Sequence, residues 1–215
     1  MENGQANNNF CVTIERGFGS GGKTIGVMLA ERLGVEYYDR DLSRLSSEFS
    51  GINERFFVQF DENVRNRLFR KYSKADLEAI LSPDDEKFVS DDNLFRLQAK
   101  VISNLAQQET CVIIGRCSGF VLRGKPNLLR LYVYAPLTVC TENVQERYGV
   151  SLSEARRLVT QTDINRRSYF KYYTGGLDWY DAQNYDLCIN TAEIGFEKAA
   201  DLVMAALRIR GLLHE

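Results

Sequence analysis

Gly17-Phe18-Gly19-Ser20-Gly21-Gly22-Lys23-Thr24 satisfies the pattern G-x-x-x-x-G-K-[ST]. Glycines in such a run let successive backbone N–H groups curl around phosphate oxygens, and the N-terminus of a following helix adds partial positive charge. Gly17, Gly19, Ser20, Gly21 and Gly22 are then expected along the phosphates of a nucleotide, with Lys23 spanning the outer ones and the Thr24 hydroxyl ligating Mg²⁺. The expected ligand is ATP or GTP with magnesium. The chain has neither N-K-x-D, which reads guanine, nor the transporter signature L-S-G-G-Q. The third and fourth candidate strands also lack an acid at their ends, since Ile114 is followed by Gly115 and Tyr134 by Ala135. GTPases and motor or transporter ATPases therefore lose ground to a small phosphotransferase.

Phosphoryl transfer needs cations that spread charge off the moving group. Arg116 follows a candidate strand directly, at the edge where doubly wound sheets bind ligands. Arg166 and Arg167 open a run of cations and aromatics, Arg166-Arg167-Ser168-Tyr169-Phe170-Lys171-Tyr172-Tyr173, whose aromatics could equally be packing a helix. Arg147 reads as a nucleotide contact or as an ordinary cation at a helix C-terminus. Asp39-Arg40-Asp41 follows the second candidate strand, either as a site for magnesium and an acceptor or as an acidic cluster at a helix start. Trp179, Tyr180 and Asp181 either close over a base or pack under a lid.

The elements that must position these groups alternate short apolar runs with longer amphipathic ones, which predicts a parallel sheet with crossover helices. Candidate strands cover residues 10–14, 35–38, 111–114, 129–134 and 185–189. A helix over 23–33 carries Ile25, Met28, Leu29 and Leu33 and stops at Gly34, and a last helix runs from 194 to about 210. About seventy residues separate the second and third strands, too many for a simple crossover, so structure is inserted there. Residues 53–81, with Phe56, Phe57, Phe60, Leu68 and Phe69, read as helical pieces. Residues 82–92 hold Pro83 and five acids against one lysine and read as an exposed loop. Leu94, Leu97, Val101 and Leu105 mark an amphipathic helix, and Ser151-Leu152-Ser153-Glu154 has the spacing of a capping box that opens another.

At 215 residues, 44% hydrophobic and 26% charged, the chain suits one globular domain. Its 27 basic and 29 acidic residues leave a net charge of −2, no global case for nucleic acid or an anionic membrane as partner. No apolar run approaches the roughly 20 residues of a membrane span. Residues 1–9 are polar and Asn-rich, read as a disordered tail and not as a signal peptide, which points to the cytoplasm. Five cysteines with no C-x-x-C pair read as reduced thiols, and the lone His214 excludes a His-based triad. Oligomeric state is not legible.

With these residues in view, the chain resembles the cytidylate kinase-like family of P-loop nucleoside monophosphate kinases. The resemblance rests on Glu15-Arg16-Gly17-Phe18-Gly19-Ser20-Gly21-Gly22-Lys23, Tyr37-Tyr38-Asp39, Ile113-Ile114-Gly115-Arg116-Cys117, Asp163-Ile164-Asn165-Arg166-Arg167 and Asn184-Tyr185-Asp186-Leu187. It implies the α/β fold of P-loop nucleoside triphosphate hydrolases, with a five-stranded parallel sheet flanked by helices. One domain over 10–215 would carry a monophosphate-binding insertion at about 39–105 and a lid at about 147–176. It further implies that Arg116 grips the acceptor phosphate, Asp163 holds the substrate sugar and Arg166 reaches the transferring phosphates, with Arg167 beside it. Asp39 and Arg40 fall on the substrate side. CMP kinases carry D-G-R-D after the third strand, where this chain has Ile114 and Cys117 at the acidic positions, and an arginine where Val159 stands. The expected activity is ATP-dependent phosphorylation of a nucleoside monophosphate, CMP or dCMP first. Two alternatives stand beside it: a kinase of a small hydroxylated metabolite with Asp39 as base, and a nucleotide-binding regulator without transfer.

Overall fold

A computed structural model describes residues 9–62 and 73–213. Tail residues 1–8, the expected helical residues Leu68 and Phe69, and His214 lie outside them. In chain order the elements are β1 (Cys11–Arg16), α1 (Gly22–Leu33), β2 (Glu36–Tyr38), α2 (Asp41–Ser50), α3 (Glu54–Glu62), α4 (Lys74–Glu78) and α5 (Asp91–Gln108). There follow β3 (Cys111–Ile114), α6 (Ser118–Val121), β4 (Leu128–Tyr134), α7 (Leu137–Tyr148), α8 (Leu152–Tyr173), β5 (Leu187–Asn190) and α9 (Thr191–Ile209).

The five strands form one all-parallel sheet in the order β2-β3-β1-β4-β5. β1 is central, pairing Ile14 with Ile114 on one side and Arg16 with Val133 on the other. A parallel strand covered on both faces needs a near-continuous apolar run, and Cys11 through Ile14 are almost wholly buried. One face carries α1 and α9, where Val12, Ile14, Ile25, Leu29, Val203 and Leu207 pack together. The other carries α5 and α6 over Cys11, Ile102, Cys111, Ile113 and Leu122. Four of the cysteines are buried thiols and Cys188 is exposed, with no disulfide. Among the described residues no helix is long and apolar enough to cross a membrane.

A third cluster joins the inserted helices to the end of α8. The Phe95 ring stacks on Tyr173 with centroids 4.0 Å apart, and Phe60 meets Tyr169 and Tyr173 edge-on at 5.5 and 5.6 Å. The aromatics that follow Arg166 and Arg167 are therefore packing residues, which anchor the C-terminal end of the segment read as a lid. The first half of α5 is enclosed by this cluster, so Asn93, Leu94, Phe95, Arg96, Leu97, Gln98 and Ala99 are all buried, a wider front than a single amphipathic stripe. The expected acidic loop is shorter than its sequence suggests, because Asp91 and Asp92 belong to the first turn of α5, where carboxylates complement the helix dipole.

The capping box expected at Ser151 forms by half. Ser151 Oγ accepts the Glu154 amide at 3.2 Å, but the Glu154 carboxylate turns to Arg157 instead of reaching back to the Ser151 amide. Ser151→Ala is expected to lower stability by about 1 kcal/mol, read as a lower urea midpoint at unchanged slope. An unchanged midpoint would show that the cap contributes nothing to the fold.

Candidate functional site

β1 ends in Glu15-Arg16 and runs straight into the phosphate loop, so the central strand delivers the loop to the carboxyl edge of the sheet. The loop's carbonyls are tied off behind it. Ser20 Oγ donates to the Gly17 carbonyl at 2.8 Å and to the Val133 carbonyl at 3.0 Å. Asn143 Nδ2 donates to the Gly19 carbonyl and Thr191 Oγ1 to the Ser20 carbonyl, each at 2.8 Å. Holding these acceptors back leaves the amides and the N-terminus of α1 facing outward, an arrangement suited to an anion.

The loop borders a cavity of about 1420 Å³, which Gly17, Gly19, Gly21, Gly22, Lys23, Thr24, Asp39, Arg40, Arg116, Arg147 and Arg166 all line. Ser20 is fully buried behind the loop as its brace. Lys23 Nζ lies 2.9 Å from Asp39 Oδ2, and Arg16 reaches Asp39 Oδ1 at 3.4 Å. Burial alone would raise the Asp39 carboxyl, but the Arg16 guanidinium and the Lys23 ammonium hold it below the usual carboxylate range. Arg16 is a site residue that strand periodicity did not single out. The available signal was a charged pair, Glu15-Arg16, closing an otherwise apolar strand.

The α8 residues meet the loop from the opposite side. Asp163 Oδ1 accepts the Phe18 amide at 2.8 Å, and Arg166 Nη1 donates to the Arg16 carbonyl at 3.0 Å. Burial raises the Asp163 carboxyl, opposed by the Phe18 amide and then by Arg166. Burial also pushes the Arg166 guanidinium down, with Arg16 acting in the same direction and Asp163 and Glu15 against it. Phe18 lies between the two helices of this side, stacked on Tyr148 at 6.0 Å and under Arg166 at 5.5 Å. Arg167 does not join them: it points outward, pairs with Asp178 at 3.0 Å and lies over Tyr180 at 5.0 Å. Trp179 is fully buried and donates through Nε1 to Glu15 Oε2 at 3.1 Å.

A profile of the cytidylate kinase-like family matches residues 11–193. The chain belongs to the cytidylate kinase-like family. A cytidylate kinase of Pyrococcus horikoshii is 26% identical over 197 residues, covering 91% of this chain and 87% of that one. An uncharacterized protein from Eubacterium ventriosum has a similar structure, with TM-score 0.68 and 22% identity over 93% of this chain and 99% of the other. A shikimate kinase from Bacteroides thetaiotaomicron follows with TM-score 0.53 and 12% identity over 93% and 98% of the two chains, a likeness of fold alone. As a cytidylate kinase-like protein with an intact phosphate loop on a P-loop fold, the chain is a kinase.

Proposed function

We propose that this kinase transfers the γ-phosphoryl group of ATP to the phosphate of a nucleoside monophosphate, with CMP or dCMP as the leading acceptor. The observation that carries the reading is the gathering of Arg16, Arg116 and Arg166 with Lys23 around one cavity. Two polyanions brought together need that many cations, whereas a neutral hydroxyl acceptor needs fewer. Asp39, held in its anionic form by Arg16 and Lys23, is a weak base, which counts against a hydroxyl acceptor that must lose a proton. An acceptor phosphate is already a nucleophile and needs none.

The Thr24 hydroxyl and the Asp39 carboxylate fit Mg²⁺, a hard ion that takes one or two protein oxygens and completes its shell with phosphate oxygens and water. Mg²⁺ held there would act as a Lewis acid that draws charge off the phosphates. Lys23 exchanges Asp39 for the outer phosphates of ATP, and the loop amides hold the inner ones. Arg116 and Arg16 fix the acceptor phosphate, and Arg166 stabilises charge on the group in transit. Arg147 serves the donor side, and Asp163 and Arg40 the acceptor's sugar and phosphate. Arg167, paired with Asp178, ties α8 to the segment that follows it. Residues 39–105 form the acceptor-binding insertion. Closure at 147–176 moves the end of α7 and the start of α8 about the fixed aromatic end of α8.

Incubation with ATP, Mg²⁺ and a panel of nucleoside monophosphates and hydroxylated metabolites tests this, followed by ADP release and product mass. A nucleoside diphosphate product is expected. Turnover with a hydroxylated metabolite alone, or with no acceptor at all, rules the reading out.

A further inference from the structure

Glu15 is 8% exposed and lines the cavity beside Arg116, Cys117, Tyr169 and Phe170. Its Oε2 is taken by the Trp179 indole, while Oε1 is buried and has no hydrogen-bond partner among the described residues. Burial raises the Glu15 carboxyl, opposed first by the Arg16 guanidinium, then by the Trp179 indole and Arg166, and last by the Cys117 amide. A buried carboxylate oxygen left without a donor is costly, and buried polar atoms in native proteins rarely stay unpaired. The surrounding arginines supply donors only, and the phosphates of both substrates supply acceptors, so phosphate binding satisfies the arginines and leaves Glu15 as it was. What Glu15 lacks is an N–H or O–H, which the non-phosphate part of a ligand can supply.

We propose that Glu15 is a specificity-determining residue: its Oε1 accepts a hydrogen bond from the exocyclic amine of the acceptor base, so the site selects amino bases over their carbonyl counterparts. The inference rests on the monophosphate reading above. It concerns a residue on the central strand, where Ile114 and Cys117 on the neighbouring segment offer no carboxylate. The Trp179 N–H fixes the orientation. In Glu15→Gln the indole pins the amide oxygen, which turns the amide NH₂ toward the ligand, repelling an amine and welcoming a carbonyl.

The test compares matched acceptors, CMP with UMP and AMP with IMP, on wild type, Glu15→Gln and Trp179→Phe. Wild type is expected to bind and phosphorylate the amino member of the preferred pair at least about tenfold better. Glu15→Gln should lower kcat/KM for that member about tenfold or more, mainly through KM, and leave the carbonyl member unchanged or improved. Equal loss for both members in Glu15→Gln, matched by Trp179→Phe, would show that Glu15 only anchors Trp179 and would overturn the proposal. If Glu15→Gln does not fold, wild-type affinities decide: equal binding of the two members of the preferred pair also overturns it. Absence of turnover with every monophosphate is a separate result, which removes the monophosphate reading and this inference with it.

Discussion

Lys23→Ala is expected to cut kcat for phosphoryl transfer by about 10²–10³-fold, the scale seen when one preorganised charge donor is taken from a transition state. The ammonium lies at the mouth of α1, 2.9 Å from Asp39, on the side of the loop that faces the cavity. It is 42% exposed, so its removal opens no void in the core and the protein should stay folded. Asp39 would lose its partner at 2.9 Å and keep Arg16 at 3.4 Å, the largest influence lowering its carboxyl. Its lowered carboxyl contributes stability that is complete above the unfolded-state pKa and is lost as pH falls through the folded value. Weakening the pairing therefore lowers stability at neutral pH by part of that contribution, and the difference from wild type shrinks as pH falls through the folded value. A coupled ADP assay and an acid titration followed by circular dichroism check both halves. Full activity in Lys23→Ala would mean that another cation carries the outer phosphates.

Gly19→Ala is expected to weaken ATP binding more than tenfold, and a second glycine isolates the reason. Gly19 and Gly34 both sit at positive φ, +84° and +65°, where an alanine pays a conformational cost of about 1–2 kcal/mol. A Cβ at Gly34 meets nothing within 4 Å, but at Gly19 it would lie 2.4 Å from the Cys140 carbonyl oxygen. That oxygen is backbone in the first turn of α7 and cannot swing aside, so the loop itself must shift. Gly34→Ala should lose about 1 kcal/mol of stability with ATP affinity intact, while Gly19→Ala should lose more stability and most of its affinity. Calorimetric titration with ATP and thermal unfolding of both variants decide it. Equal effects would mean that the approach to Cys140 does not hold the loop's shape.

These two experiments also divide what was legible early from what was not. The phosphate loop is a local object: eight consecutive residues between a buried strand and a helix make the cradle wherever the chain goes next, so Lys23 and Thr24 could be assigned from spacing. The three inner strands, β3, β1 and β4, were readable because a sheet covered on both faces demands apolar runs of four to eight residues. The α8 arginines were less readable. Arg166 and Arg167 are neighbours in sequence, yet successive residues on a helix point about 100° apart, so only one of the two can face the cavity. Packing of Tyr169, Phe170 and Tyr173 into the aromatic cluster sets the rotation of α8 and hands the inward position to Arg166.

By itself, then, the sequence determined a P-loop, a parallel α/β sheet and the cations that the proposed transfer draws on, because each is written in contiguous residues or in periodicity. Only the tertiary structure decided which distant groups meet. Asp39 comes to Lys23 and Arg16 because β2 and β1 end at the same edge of the sheet. Glu15 receives Trp179 from 164 residues away because the segment between α8 and β5 folds back beneath the central strand. Contacts of that kind depend on the order in which strands enter the sheet and on the faces that helices bury, quantities that no local pattern of side chains encodes.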